Sequence, residues 1–187
     1  MTFKRVLRPK ALGLSNRIGM RQKASKRSQE AWIKAIPPNP SHGSGTLQKR
    51  LWRLVSDYTR IRDWYLYGRC VASGKPLGHW KEGQGGHFIH YSKCNGIFKF
   101  SEKNVFLQDA ESNAWGGMEI GHAFGAELER RGIDTDALRA ENRDTEKKLN
   151  DTLVISKIED ILGKMIELPE KPEYFDRVIE LRSNYRN

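Results

Sequence analysis

The sequence predicts an α+β fold in which a small strand–loop–strand–helix unit lies among several α-helices, behind an extended basic N-terminal arm. Three observations predict this fold. Residues 46–67 repeat apolar side chains at steps of four and three, as an amphipathic helix does. Residues 83–113 combine glycine-rich turns with short strand-like runs. From about residue 110 onward the apolar positions return to helical spacing.

The charge of the chain is unevenly distributed. The net charge is +10, but residues 1–70 hold 16 Lys and Arg against three carboxylates, so this front part carries +13 and the remainder −3. Such asymmetry favours a polyanionic partner, most simply nucleic acid, over an ordinary solvated face. An anionic membrane surface is disfavoured, because no strongly amphipathic helix precedes residue 45. No apolar run approaches the length that spans a bilayer, so no membrane partner is expected.

Two further features bear on localisation. The N-terminus lacks the long apolar stretch of a signal peptide. The two cysteines, Cys70 and Cys94, do not form a disulfide framework. Both features fit a reducing cytoplasm.

Three parts are predicted along the chain: a basic arm and linker at 1–44, a central domain with its leading helix at 45–133, and C-terminal helices at 134–187. The first part is rich in helix-breaking residues, although a short helix is compatible with 25–35. Eleven cations in the front part are expected to contact DNA phosphates. They are Lys4, Arg5, Arg8, Lys10, Arg17, Arg21, Lys23, Lys26, Arg27, Arg50 and Arg53.

The remaining elements follow from local patterns. The helix at 46–67 is expected to bury one apolar stripe and to end at Gly68. The residues of this stripe are Leu47, Leu51, Leu54, Tyr58, Ile61 and Tyr65. Phe98 and Phe100 alternate around a lysine, which predicts a half-buried strand, and 104–108 predicts another. Four helices are predicted after residue 110, one of them capped by Asp134 or Thr135. Their apolar markers are Ile120, Phe124 and Leu128, then Val154, Ile158, Ile161 and Met165 before Pro169, and last Tyr174, Val178, Leu181 and Tyr185.

The strand–loop–strand–helix unit carries residues that suit phosphodiester chemistry. A nuclease needs a base that activates water and a cation that neutralises the phosphate. His87 lies on the first strand and Asn113 on the closing helix, so a scissile phosphate fits between them. Asn104 precedes the second strand and can brace the loop through side-chain-to-backbone bonds. Taken alone, His87 is better explained as a hydrogen-bonded structural histidine in a hairpin, and only the surrounding sequence favours catalysis.

The short sequence motifs around these residues resemble those of a known family. RCVASGK at 69–75, GGHFI at 85–89, SEKNVFLQ at 101–108 and the closing Asn113 are similar to the phage recombination-protein family of the NinG type, a group of HNH endonucleases. The resemblance covers roughly residues 45–168. It implies a ββα-metal (HNH) core and the cytoplasm of a bacterial host. It also implies His87 as general base, Asn104 as the loop-bracing residue and Asn113 as a ligand of one Mg²⁺ or Mn²⁺ ion.

The resemblance also implies a zinc site that this chain has lost. The family holds the unit with two Cys-x-x-Cys pairs, whose positions fall here on Cys70 and Ser73 and on Asp109 and Ser112. Serine hydroxyls are poor zinc ligands, so no structural zinc is expected. Nearby aromatic side chains are expected to replace the metal through burial. Cys94 matches neither pair and is expected to be an ordinary thiol.

A second departure concerns the catalytic metal. Many HNH sites carry an acidic residue directly before the base, where this chain has Gly86. Asn113 alone is a thin ligand set, although Mg²⁺ often keeps several waters and takes phosphate oxygens as ligands. Candidate helpers, each also compatible with an ordinary surface role, are His90, Glu111 and His122.

The sequence is therefore compatible with two alternative functions. The first is a metal-dependent phage endonuclease that hydrolyses phosphodiester bonds in DNA, including branched recombination or replication intermediates, a preference that only the resemblance implies. The second is an inactive nuclease-derived module that binds nucleic acid or a phage assembly. Loss of the zinc pairs and of the acidic residue favours the second, and retention of His87, Asn104 and Asn113 favours the first. A ribosome- or virion-associated basic protein explains the arm but not the motif.

Overall fold

The computed structural model describes residues 31–114 and 118–186, and within these ranges it describes all side chains except those of 118–122 and 185–186. The α+β prediction is confirmed: the chain is mostly helical and contains one small antiparallel sheet. None of the helices in these ranges has the combination of length and apolar composition that a bilayer crossing requires.

The elements follow one another in a simple order. The helices are α1 (Thr46–Tyr67), α2 (Ala110–Ala114), α3 (Met118–Arg130), α4 (Thr135–Asp144), α5 (Asp151–Ile166) and α6 (Phe175–Arg186), and the strands are β1 (Gln84–His87) and β2 (Val105–Gln108). Residues 31–35 are also helical. The described residues fall into two compact units, one of residues 36–175 and one that contains 31–35 and 176–186. The site described below lies entirely in the first unit.

Helix α1 is the centre of this unit. It ends where predicted, at Gly68, which adopts a left-handed conformation (φ 62°) and donates its N–H to the oxygen of Trp64. The single-stripe prediction is too narrow, because α1 packs against β1, β2 and α5 and is therefore buried on several sides. Trp52 and Asp57 are buried off the predicted stripe, whereas Tyr65, at its end, is 47% exposed.

The sheet packs directly on α1. Strands β1 and β2 are antiparallel, and Gly85 pairs with Leu107. A Cβ at Gly85 would lie 2.8 Å from Ser56 Oγ and 3.2 Å from Ser56 Cα, so only glycine allows this close approach. The backbone N–H of Leu107 donates to Asp63 Oδ2 at 2.9 Å, which ties β2 to α1 by a buried carboxylate.

The strand predicted around Phe98 is wrong. Residues Gly96–Phe100 form a 3₁₀ helix that begins at a glycine with φ 33°. Both phenylalanines are buried, which is the property that the alternating pattern detected. The turn is imposed from a distance, because the side chain and backbone N–H of Asn95 bond to Asn142 on α4.

The C-terminal helices agree with their sequence patterns in part: Tyr174 lies before α6, Leu181 is half-buried, and the side chains of Ile120 and Tyr185 lie outside the described residues. Phe124 and Leu128 on α3 share a core with Phe106 of β2. Asp134 caps α4, since its side chain accepts from the backbone N–H groups of Asp136 and Ala137. The four predicted positions of α5 are buried. On α6, Val178 is fully buried.

Candidate functional site

His87 ends strand β1, and its imidazole is held in one tautomer. Its Nε2 lies 2.8 Å from the backbone oxygen of Lys99. A carbonyl oxygen only accepts, so Nε2 carries the hydrogen and Nδ1 is left with the lone pair. Burial lowers the pKa of His87 to about 4, the bond to Lys99 opposes this shift in part, and the nearby His42 and His90 lower the pKa further. The imidazole is therefore neutral at pH 7, the state in which it can accept a proton.

His87 is part of a stack of aromatic rings. Its ring centroid lies 4.8 Å from that of Trp52, with an angle of 11° between the planes. His42 stacks at 4.2 Å on Trp52 and at 5.2 Å on His87, and Tyr91 meets His87 edge-on at 5.6 Å. His42 adopts a left-handed conformation (φ 65°). Residues assigned to a linker by the sequence thus cover one side of His87.

Asn113 reaches the same region from α2. Its Nδ2 donates to Oε1 of Gln84 at 2.7 Å, so its Oδ1 remains an acceptor. Asn113 and Gln84 line a cleft of about 410 Å³ together with His42, the residue that stacks on His87. Asn113 therefore lines the same cleft as His42 and Trp52, the two residues that stack on His87, whereas His87 is not itself among the lining residues. The other lining residues are Asn39, Ser41, Trp52, Arg53, Ser56, Arg60 and Gly85.

Asn104 makes the predicted side-chain-to-backbone bonds. Its Oδ1 accepts from the N–H of Ile89 at 2.7 Å, and its Nδ2 donates to the oxygen of Ile89 at 3.0 Å. It also donates to Sγ of Cys94 at 3.3 Å. The Cys94 thiol in turn donates to the oxygen of Ile89, and burial raises its pKa to about 11. Cys94 therefore packs as a protonated structural thiol.

Two of the three candidate helper ligands lie among the described side chains. His90 is exposed and bonds to the N–H and Oγ of Ser92, where it caps a short 3₁₀ turn. Glu111 is exposed on α2, and the His122 side chain lies outside the described residues. Among the described side chains, those of 31–114 and 123–184, no three His, Cys, Asp or Glu residues are close enough to share a metal ion.

The four positions that the resemblance assigns to zinc do meet in space, around a carboxylate. Oδ2 of Asp109 accepts from Oγ of Ser73 at 2.6 Å and from Oγ of Ser112 at 2.9 Å. The backbone N–H of Ser112 donates to Oδ1 at 2.8 Å. Burial raises the pKa of Asp109, but bonds from Cys70, Ser73 and Ser112 outweigh it and hold the pKa well below its usual range.

These bonds correct the expectation about what joins the two segments. The aromatic residues Phe88 and Phe106 pack beside Phe124, as expected from their burial. At the four positions themselves, however, a hydrogen-bonded carboxylate connects the segment after α1 to the end of β2. The two serine hydroxyls donate to this carboxylate, which explains structurally why serines occupy positions where the family has cysteines.

Steric crowding explains why a glycine, Gly86, precedes His87. A Cβ at Gly86 would lie 2.3 Å from Cδ of Gln108 on the neighbouring strand, and Gln108 is only 3% exposed. An acidic side chain at this position would require Gln108 to move.

The predicted DNA-binding cations divide into two groups. The nine from Lys4 to Arg27 lie outside the described residues. Arg50 donates to the backbone oxygen of Ile36, which ties the segment before α1 to that helix. Arg53 lines the cleft, and its Nε donates to Oδ2 of Asp57 at 2.7 Å.

Sequence reasoning misses several residues of the site. It places His42 in the linker, although an isolated histidine among Gly and Ser is a signal that could single it out. Trp52 and Gln84 carry no local signal, since their place beside His87 and Asn113 depends on how α1 and β1 pack. Comparison of the chain with protein-family models, curated proteins and solved structures gives no match.

Proposed function

We propose that the chain is a DNA endonuclease with an HNH-like core, in which His87 acts as the general base that activates water for phosphodiester hydrolysis. The observation that carries this proposal is the bond from His87 Nε2 to the oxygen of Lys99. It leaves Nδ1 as the proton acceptor, and the cleft next to the His42–Trp52–His87 stack is lined by Asn113 and Arg53. The basic front part of the chain supports nucleic acid as the substrate class.

The bond to Lys99 serves both protonation states of the base. Nε2 donates to the carbonyl before and after Nδ1 takes the proton, so the ring keeps its orientation during the step. The low pKa of His87 weakens it as a base, but an anionic phosphate placed nearby raises a histidine pKa. Asn104 supports the site indirectly, since it fixes the backbone of Ile89 in the loop that carries Tyr91.

Asn113 is the residue that would hold a divalent cation. Its Nδ2 is engaged by Gln84, so Oδ1 is left as an oxygen ligand of the kind that Mg²⁺ and Mn²⁺ accept. A bound ion would neutralise charge on the phosphate during attack. Since no carboxylate of the described residues lines this cleft, water and substrate phosphate would provide the other ligands.

The competing function is a nuclease-derived module that binds nucleic acid or a phage assembly without cutting. Two observations favour it: the thin ligand set around Asn113 and the stacking of His42 over His87. This alternative keeps the basic surface but assigns His87 a purely structural role.

Cleavage assays separate the two functions. Purified protein is incubated under single-turnover conditions with Mg²⁺ or Mn²⁺ and with linear, single-stranded or four-way-junction DNA, while binding is followed by anisotropy. We expect His87→Ala to abolish cleavage and to retain binding. His79→Ala is the matched control, because His79 pairs with Glu170 away from the cleft.

Asn113→Ala extends the assay to the cation. We expect it to reduce the rate and to raise the concentration of Mg²⁺ that half-maximal cleavage requires. Full activity of His87→Ala would exclude His87 as the base. A wild-type protein that binds DNA but cuts none of the three substrates would support the binding module.

A further inference from the structure

We propose that the cleft beside His87 is a phosphate-binding site in which Arg53 is the cationic ligand, positioned by the buried carboxylate of Asp57. The proposal deepens the proposed function and rests on it in one respect, namely that the phosphate belongs to a DNA strand.

The site is built on a carboxylate that the fold has enclosed. Asp57 is fully buried on α1. Its Oδ2 accepts from Nε of Arg53 at 2.7 Å and from the hydroxyl of Tyr174 at 2.8 Å, while its Oδ1 accepts from Arg60. Burial and the charge of Asp57 raise the pKa of Tyr174, so its hydroxyl remains a donor. One carboxylate thus faces two guanidinium groups, which leaves one positive charge in excess.

That excess charge is carried by Arg53. Arg60 is committed to the fold: its Nη1 donates to the oxygen of Gly83 at 3.0 Å, its guanidinium stacks over Trp80, and its side chain is only 14% exposed. The Arg53 side chain is 37% exposed, and it lines the cleft while its Nε is anchored. An arginine anchored through Nε keeps a planar guanidinium edge for a phosphate and gives up little side-chain entropy on binding.

The rest of the lining points to an anion. No Asp or Glu of the described residues lines the cleft, and the carboxylate that anchors Arg53, Asp57, is enclosed and already bonded. The other polar lining residues are mostly neutral amides and hydroxyls, among them Asn39, Ser56 and Gln84. With no carboxylate among the described lining residues, a divalent cation on Asn113 would depend on the phosphate for its charged ligands, whereas a phosphate would meet Arg53 directly.

A second cleft shows where the strand would continue. It is also about 410 Å³, and its charged lining residues are Arg53, Arg60, Lys81 and Glu173, of which Glu173 pairs with Lys81 at 3.1 Å. Because Arg53 and Arg60 line both clefts, one phosphate can contact Arg53 while the neighbouring nucleotide extends over Arg60 and Trp80.

The test is the salt dependence of DNA binding, measured by anisotropy on a short duplex. Arg53→Gln removes the charge, so the slope of log K against log salt should decrease by about 0.9, the value of one phosphate contact on duplex DNA. Arg53→Lys keeps the charge and should keep the slope. Arg130→Gln is the matched control, because Arg130 is an exposed, ion-paired arginine on α3 outside both clefts.

Two further measurements locate the contact and exclude a folding artefact. Duplexes that each carry one neutral methylphosphonate should reveal a position that weakens binding of the wild type but not of Arg53→Gln. Tyr174→Phe removes the hydrogen bond from the hydroxyl to Asp57 but no charge. It should therefore lower Tm and leave the salt dependence of DNA binding unchanged. An equal slope change in Tyr174→Phe and Arg53→Gln would overturn the proposal.

The outcome is separable from that of the proposed function. A slope change in Arg53→Gln without cleavage by the wild type would support the phosphate site and count against the endonuclease. Cleavage by the wild type with an unchanged slope and rate in Arg53→Gln would overturn the phosphate site alone.

Discussion

His87 Nε2 donates to the backbone oxygen of Lys99 at 2.8 Å, so a 3₁₀ turn, and not a second strand, orients the candidate base. The oxygen of Lys99 points back toward β1 because residues 96–100 coil tightly after Asn95. A strand in this place would direct its carbonyls along the sheet and would not fix the imidazole tautomer.

The first prediction concerns stability and pH. The pKa of His87 is about 4 in the folded chain and 6.5 in the reference state, so the unfolded chain binds the proton more tightly between these values. Stability should therefore be complete above pH 6.5 and should fall as pH decreases toward 4, by at most about 3.5 kcal/mol at roughly 1.4 kcal/mol per pKa unit.

Urea unfolding at several pH values checks this window. His87→Gln can still donate to Lys99 but does not titrate, so its stability should vary less between pH 6.5 and 4. Parallel curves for wild type and His87→Gln would contradict the assigned tautomer and burial.

The second prediction concerns Asn104. Asn104→Ala leaves the N–H of Ile89 without its acceptor, at a cost of about 1–3 kcal/mol, and removes one of the two donors to the oxygen of Ile89, which keeps the Cys94 thiol. We expect a larger decrease of Tm than in His87→Ala or Asn113→Ala, because Asn113 is exposed and makes a single amide hydrogen bond. Calorimetry on the three variants makes the comparison, and an unchanged Tm in Asn104→Ala would show that the loop does not depend on it.

The third prediction concerns the carboxylate that joins the two segments. The folded pKa of Asp109 lies below its reference value of 3.8, so its stabilisation should be present above that pH and should be lost as pH falls below about 4. Asp109→Asn should reduce this loss of stability below pH 4 (the acid limb of the stability profile) and should lower Tm at pH 7. Ser73→Ala, which removes one donor, should have a smaller effect. Thermal melts between pH 2 and 7 measure both variants, and an acid limb that persists in Asp109→Asn would contradict this assignment.

Zinc is checked in the same preparation. Protein purified without added metal should contain far less than one zinc per chain, and a chelator should leave Tm unchanged. Stoichiometric zinc that resists dialysis would contradict the hydrogen-bonded arrangement of Cys70, Ser73, Asp109 and Ser112.

The fourth prediction separates the arm from the site. Deleting residues 1–30 removes nine of the eleven cations that are predicted to bind phosphates, so DNA binding should weaken. The salt slope should decrease by about 0.9 for each phosphate that the shortened chain no longer neutralises.

Deleting 1–44 also removes His42, which stacks on Trp52 and His87. The longer deletion should therefore lower Tm and impair cleavage beyond the shorter one. Equal Tm and cleavage in both truncated proteins would show that residues 31–44 do not contribute to the site.

Much of the secondary structure was determined by sequence alone. The bounds of α1, its end at Gly68, the cap at Asp134 and the strand at Val105–Gln108 all agree with local patterns. Such features depend on neighbouring residues along the chain, because caps, glycine conformations and apolar periodicity act within one or two turns. The presence of His87 on a strand and Asn113 on a helix was predictable for the same reason, with help from the family resemblance.

The tertiary structure alone decided how these elements make a site. The turn at Phe98 depends on the bonds between Asn95 and Asn142, which lie 47 residues apart along the chain. Asp57 meets Tyr174, and His42 meets His87, only because α1 lies between the sheet and the C-terminal segments. The side chain of Asp57 could as well have faced solvent on an exposed helix. Periodicity records which positions are apolar, whereas the partner of a buried polar group depends on the path of the whole chain, which no local pattern contains.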